Sequence, residues 1–188
     1  KLTKFLDADI LIINIPPTKD QPFSNAIGRL ICEIEKAKIK NVLFVSATSV
    51  YGDVTGFVDE NTMPEPTTEN GKELLLAEKL LSENPNFKNT ILRFGGLIGN
   101  GRHPVKYLSG KENPDPDMRV NLIHFEDCIG IIESIISLEK WGEIYNAVSA
   151  FHPTRKEYYT SKALQMELPL PTFAASRKEG KIVRRDKI

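Results

Sequence analysis

The sequence has no excess charge of either sign: 25 Lys and Arg residues are matched by 25 Asp and Glu among 188 residues. Such a chain projects no net field, so nucleic acid and anionic membrane surfaces are not its expected partners. Long apolar runs are missing too. The longest, Ile10 to Ile15, is interrupted by Asn14 and falls far short of the roughly 18 residues that span a bilayer. No secretory signal pattern opens the sequence. Cysteine is scarce: Cys32 and Cys128 each lie in an apolar stretch of helical period, so buried, reduced thiols and a cytoplasmic setting are expected. Those cysteines and the three histidines, His103, His124 and His152, fall at no short metal-ligand spacing, and no metal centre is expected.

What is present suffices for one core with a small appendage, since 40% of the residues are hydrophobic and 27% charged. Ala8 to Ile15 is apolar and β-branched, the pattern of a strand covered on both faces, and Pro16-Pro17 stops it. Between Ser24 and Lys38 the apolar residues Ile27, Leu30, Ile31, Ile34 and Ala37 recur at helical spacing, with Ser24 or Asn25 as the N-cap. Asn41 to Ser46 is a second buried strand, which completes a right-handed strand, helix, strand crossover of a parallel sheet. Thr67-Thr68-Glu69-Asn70 caps a further helix through "KELLLAEKLL", whose leucines read as core, and "NTILRF" is a third strand.

After "GGLIGNG" the texture changes to Pro and Gly loops, a short "RVNLIH" strand, a helix "EDCIGIIESIISLE" with Asp127 as its cap, a short "EIYNAV" strand and an amphipathic segment from Thr154 to Met166. The expected architecture is a doubly wound parallel α/β sheet. Residues 1–101 form the second half of a nucleotide-binding domain and 102–188 are mainly a substrate cap, with the 119–147 strand, helix, strand segment packing back on the sheet. The glycine-rich turn that opens such sheets is absent, "KLTKFLDAD" reads as a helix end feeding a strand, and the strand Ile10 to Ile15 is expected to leave a long apolar edge open.

Gly95-Gly96-Leu97-Ile98-Gly99-Asn100-Gly101 follows a strand, but its spacing is not that of a dinucleotide fingerprint and Arg102-His103-Pro104 follows it. It reads as a strand-end loop that brings backbone close to a ligand. The hydroxyl-rich turn "VSATSVYGD" after the second strand lies where ligands bind in parallel α/β sheets.

Taken in order, "NVLFVSATSVYGD", "ILRFGGLIGNG" and "LIHFEDCIG" resemble the extended short-chain dehydrogenase/reductase family, the NAD-dependent epimerases and dehydratases of nucleotide sugars. The set "SVYGD", "LRFGGLIGNGRHP", "GK", "VNLIHFEDCIG", "IYN" and the late "GKI" resembles the atypical YeeZ-like subgroup across nearly the whole chain. The resemblance implies a Rossmann-type fold and NAD or NADP as cofactor, with the pyrophosphate held by an N-terminal unit. It implies cofactor contacts from Asn14, Ile15, Pro16, Pro17, Ser46, Ala47, Thr48, Phe94, Gly95, Gly96 and Leu97, and substrate contacts from Ser49, Tyr51, Asn70, Arg102 and His103.

The family's catalytic Ser or Thr lands on Ala47. Placing the family's glutamate on Glu78 puts the tyrosine of its Tyr-x-x-x-Lys pair on Asn70 and the lysine on Leu74. None of the three can serve: Ala47 has no hydroxyl, Asn70 is no base near neutral pH, and Leu74 carries no charge.

Two substitutes are weighed. Tyr51 is a displaced proton donor or a packed ring with a satisfied hydroxyl, and His103 is a general acid or base beside an anion-gripping Arg102 or a loop histidine capping the helix at Pro104. Ser46, Thr48 and Ser49 either bind ligand hydroxyls or cap the turn, and His124 orients its surroundings.

The resulting expectation is an NAD(P)-binding, epimerase/dehydratase-like protein with emptied catalytic positions and a nucleotide-sugar-like or other small ligand. The alternatives are an active oxidoreductase or epimerase using Arg102, His103 or Tyr51, and a nucleotide-sensing or scaffolding protein. A small molecule is the expected partner, and a homodimer is compatible with these features.

Overall fold

The apolar run that begins the readable pattern forms β1 (Ile10–Ile13) at one edge of the main sheet. In the computed structural model, which describes residues 6–18, 21–175 and 178–188, this strand is shorter than the Ala8 to Ile15 run. Next come α1 (Phe23–Ala37), β2 (Asn41–Ala47), a 3-10 turn over Thr48–Tyr51, β3 (Gly56–Val58), α2 (Glu69–Ser82) and β4 (Lys88–Phe94). The chain then runs through β5 (Gly96–Ile98), α3 (Val105–Leu108), β6 (Glu112–Asn113), β7 (Leu122–His124), α4 (Phe125–Ser137) and β8 (Ile144–Ala147). It ends with α5 (Arg155–Gln165), β9 (Thr172–Phe173) and β10 (Lys181–Val183). Most of "KLTKFLDAD" lies outside the described residues.

The main sheet has four parallel strands in the order β1-β2-β4-β8. Alternation along β2 sends Val42 and Phe44 into one core with Ile27 and Ile34 of α1 and Leu74, Ala77 and Leu81 of α2. Leu43 points the other way, into a second core with Ile123, Cys128 and Ile135 around α4. Helices therefore cover both faces, as a parallel sheet requires. This is the Rossmann-type α/β fold that the alternation of strands and helices predicts. A third, smaller core of Val105, Val120, Leu122, Tyr159 and Ala163 joins α3 and α5.

Several local expectations are corrected. Helix α1 starts at Phe23 with Pro22 at its N-cap, not at Ser24 or Asn25, because the Ser24 backbone N–H is taken by the Glu73 carboxylate of α2 at 2.8 Å. Helix α4 is capped by the His124 side chain, which accepts from the Glu126 N–H, whereas Asp127 lies in the first turn, where its charge faces the positive end of the helix. Cys32 is exposed, since its position on α1 lies away from the stripe marked by Ile27 and Ile34. Cys128 is buried, and burial pushes its thiol up to about 11. The outer edge of β1 is open: Ile12 is 42% exposed and Ile15 beyond it 50%.

The segment "GGLIGNG" is not all loop, because β5 pairs in parallel with β7. A side chain at Gly95 would put its Cβ 2.7 Å from the Asn121 carbonyl oxygen, so glycine there admits neighbouring backbone. The close approach at Gly95 is to the backbone of Asn121, just before β7. Main-sheet strand β8 follows α4, so the 119–147 segment contributes both β7 beside β5 and an edge strand of the main sheet.

Candidate cofactor and ligand site

Parallel register places the carboxyl ends of three strands side by side, with Ile13 opposite Phe44 and Ala47 opposite Phe94. Asn14 to Pro17, Ala47 and Thr48, and Phe94 to Leu97 therefore share one edge of the sheet, the edge at which ligands bind in such folds. Asn14, Ile15, Pro16 and Gly96 are exposed there, and Leu97 is 37% exposed. Thr48 is 8% exposed at the start of the 3-10 turn.

Ser46 does not face this edge. Its hydroxyl donates to Glu78 Oε1 at 2.6 Å and the residue is buried, so it belongs to the scaffold beneath the edge. Glu78, which the leucine-rich pattern of α2 hides among core residues, is held by Arg93 of β4 through two hydrogen bonds, Nε to Oε1 at 3.0 Å and Nη2 to Oε2 at 2.6 Å. Leu76 and Leu80 of the same run are exposed.

Tyr51 completes this buried network. No part of it reaches solvent, its oxygen accepts from Arg93 Nη1 at 2.8 Å, and its proton is shared between the Asp59 carbonyl and Asn146 Oδ1, at 2.8 and 2.9 Å. Burial pushes its hydroxyl above the ordinary range, against the partly offsetting pull of Arg93. This geometry fits the packed ring and not the displaced proton donor. Asn146 in turn donates its side-chain amide to the Arg184 carbonyl and its backbone N–H to Glu60.

The three positions onto which the resemblance maps catalytic residues are equally plain. Ala47 ends β2, Asn70 is exposed in the first turn of α2, and Leu74 is buried in the α1–α2 core. Ser49 and Asn70 are exposed, but they do not share a cavity with Arg102 and His103.

Arg102 and His103 line two adjoining depressions instead, one of about 320 Å³ shared with His124, Tyr158 and Lys162, the other of about 620 Å³ along Lys106 and Tyr107. His103 Nδ1 accepts from the Val105 N–H at 3.1 Å, which makes it the cap of α3, and its Nε2 is 3.1 Å from the Tyr158 hydroxyl. The two rings stack with centroids 5.6 Å apart. Burial first, then Lys162 and Lys106, lowers the His103 pKa below the usual imidazole range.

Arg93, Asn146 and Lys181 lie in the segments "LRFGGLIGNGRHP", "IYN" and "GKI" but were given no role there, and the Tyr158–Lys162 pair lies in no quoted motif. The signal for Arg93 is a charge inside the apolar "NTILRF" strand, which needs a buried partner. The spacing Tyr-x-x-x-Lys, absent between Tyr51 and Asn84, occurs downstream at Tyr158 and Lys162 on α5, with Lys162 Nζ 6.0 Å from the Tyr158 ring centroid. Lys181 reaches the Gly52 carbonyl in the turn, and burial lowers its pKa below the usual lysine range. Among the described residues no three His, Cys, Asp or Glu side chains converge as a metal site, and no helix is long and apolar enough to cross a membrane.

A sheet edge of this kind, flanked by a small helical cap, defines a Rossmann-type α/β protein. Protein YeeZ of Escherichia coli (strain K12) is 38% identical over 184 residues, which cover 96% of this chain and 67% of YeeZ. The chain belongs to the same family as YeeZ. A functionally unknown conserved protein from Silicibacter pomeroyi superposes with a TM-score of 0.78 at 26% identity, covering 96% of this chain and 70% of that one. UDP-glucuronic acid 4-epimerase from Bacillus cereus, solved with NAD, superposes with a TM-score of 0.77 at 20% identity, covering all of this chain (100%) and 69% of that one, a likeness of fold. No family model matches the chain.

Proposed function

We propose that this chain is the cofactor-edge and cap portion of an NAD-binding, epimerase/dehydratase-like protein that lacks the usual serine, tyrosine and lysine proton chemistry and takes a nucleotide-sugar-like or other small anionic ligand. The observation that carries the reading is Leu74: the position of the catalytic lysine is a buried core residue, 7% exposed. A cation is therefore absent from the place where it would lower a tyrosine pKa, and Asn70 one turn earlier supplies no tyrosine.

The residues that would hold NAD are Asn14 to Pro17, Ala47, Thr48 and Phe94 to Leu97. Ile15 and Leu97 leave apolar surface uncovered at that edge, which suits the flat face of a nicotinamide ring. When bound, NAD supplies hydride acceptance. This chain's own residues bind and orient: the Glu78–Arg93–Tyr51 network holds the turn that carries Thr48, and the Ser46 hydroxyl is spent on that scaffold. Arg102 and His103 meet the anionic end of the ligand, and 102–188 acts mainly as its cap. Two adjoining portions, 1–101 for cofactor and 102–188 for ligand, are the organisation that this division of labour requires. The two unpaired thiols support a cytoplasmic setting.

Isothermal titration with NAD and with NADP tests the reading. Saturable heat with either supports it, and no heat with both overturns the cofactor assignment.

A further inference from the structure

The cavity between the β5–α3 loop and α5 presents donors and cations and no carboxylate. Arg102 comes from the loop, Lys106 from α3, Tyr158 and Lys162 from α5, and His124 from the end of β7. Lys106 Nζ donates to the Gly101 carbonyl and Lys162 Nζ to Gln165 Oε1, each at 2.8 Å, so both cations rest on neutral acceptors. Glu126, 3.6 Å from His124 Nδ1, belongs to the first turn of α4 and does not line the cavity.

Hydrogen bonding also fixes the direction of the central pair. Because His103 Nδ1 accepts from the Val105 N–H, the neutral ring carries its proton on Nε2 and donates it to the Tyr158 oxygen. The Tyr158 hydroxyl proton then has no acceptor among the described residues. The hydroxyl is a free donor beside three cations.

We propose that this cavity binds a phosphoryl group, as phosphate or diphosphate, held by Arg102, Lys106 and Lys162 and by the Tyr158 hydroxyl, with the neutral His103 ring orienting that hydroxyl. A carboxylate brings one charge and two oxygens. A phosphoryl group brings up to two charges and three oxygens, and so can meet cations arriving from three elements at once. His103 is held neutral by burial and by Lys162 and Lys106, and with Nδ1 accepting from the Val105 N–H its Nε2–H leaves the Tyr158 proton for the anion. The inference deepens the ligand reading above and rests on it only for the identity of the larger molecule. The cavity shares no residue with the proposed cofactor edge.

The test uses the whole chain and inorganic pyrophosphate at fixed ionic strength, with the His103 ring resonances followed by NMR across a pH titration. Saturable binding that shifts the His103 ring resonances, with the ring kept as the Nε2–H tautomer, is expected. In the Arg102→Gln, Lys162→Gln double variant, pyrophosphate affinity should fall on the order of tenfold or more, the scale of losing charge-assisted contacts. Tyr158→Phe should weaken binding by a smaller factor without altering the circular-dichroism spectrum, and Lys79→Gln, an exposed cation of α2 outside the cavity, should leave affinity unchanged.

A second arm replaces pyrophosphate with UDP. Tighter binding of UDP assigns the site to a nucleotide diphosphate, and equal binding assigns it to free phosphates. An unshifted His103 resonance, an equal response to sodium chloride alone, or unchanged affinity in the double variant overturns the proposal. Because NAD heats are measured separately, loss of one assignment leaves the other standing.

Discussion

Arg93 and Glu78 are joined by two hydrogen bonds, and both side chains are only 3% exposed. The pair bridges β4 and α2 directly beneath the hydroxyl-rich turn, and Ser46 and Tyr51 complete it from β2 and the 3-10 turn. Removing one partner of such a pair strands a buried charge. Glu78→Gln should lower the free energy of unfolding by about 3–5 kcal/mol in urea denaturation, whereas Glu78→Leu combined with Arg93→Met should recover much of that loss. Equal stability of the single variant and the parent would show that the pair holds nothing.

Restoring the missing lysine should fail. Leu74→Lys places an ammonium in the α1–α2 core among Ile27, Ile34 and Ala77, with no carboxylate assigned to it. A loss of about 3 kcal/mol or more is expected, with no gain of NAD-dependent turnover even when Asn70→Tyr is added. Thermal unfolding and a nicotinamide absorbance assay read both outcomes.

Acid should destabilise the protein through two histidines. Burial lowers the pKa of His103 and of His152, and nearby cations push in the same direction for each, with the Val120 carbonyl opposing at His152. Between the folded and unfolded pKa values the unfolded chain binds more protons, so stability rises with pH across that window. The contribution is complete above the unfolded value of roughly 6.5 and is lost as pH falls below it. Urea midpoints at several pH values should drop from pH 7 toward pH 5, and His103→Asn should shrink the drop.

The two cysteines should separate cleanly. Cys32 is exposed on α1, while the Cys128 thiol is buried and pushed up to about 11. A thiol reagent at pH 8 should titrate one group quickly and the second only after denaturant is added. Two fast thiols would mean that α4 does not seal the second core.

Gly95→Ala should cost about 1–3 kcal/mol, because the added Cβ would lie 2.7 Å from the Asn121 carbonyl oxygen and 2.9 Å from Val148 Cγ1. The measurement is the shift in thermal midpoint against Gly130→Ala, where the added Cβ meets nothing within 4 Å.

Much of the fold was legible because its strands are short apolar runs and its helices carry clear periodicity. Ile27 and Ile34 marked the inner face of α1, and the Val42, Leu43, Phe44 run marked a strand buried on both sides. Helix boundaries were less legible, because the cap of α1 is a carboxylate on another helix: no local pattern announces Glu73 as the partner of the Ser24 N–H. The assignment of Ala47, Asn70 and Leu74 came from the resemblance, and it needs only the residue types at those positions. The polar cavity could not be read that way. His103 and Tyr158 are 55 residues apart, and only the third core, which packs α5 against α3, brings them together.

The contact between Lys181 and Gly52 spans 129 residues, and beside it β10 lies in parallel against β3 while Asn121 receives the Val183 N–H. The turn that ends in Gly52 is thus latched by a segment far along the sequence. Closing that latch requires one of the longest loops in the chain, and Val183 of the same β10 is fully buried in the first core. Loss of β10 would therefore unfasten the Gly52 turn and open the first core together.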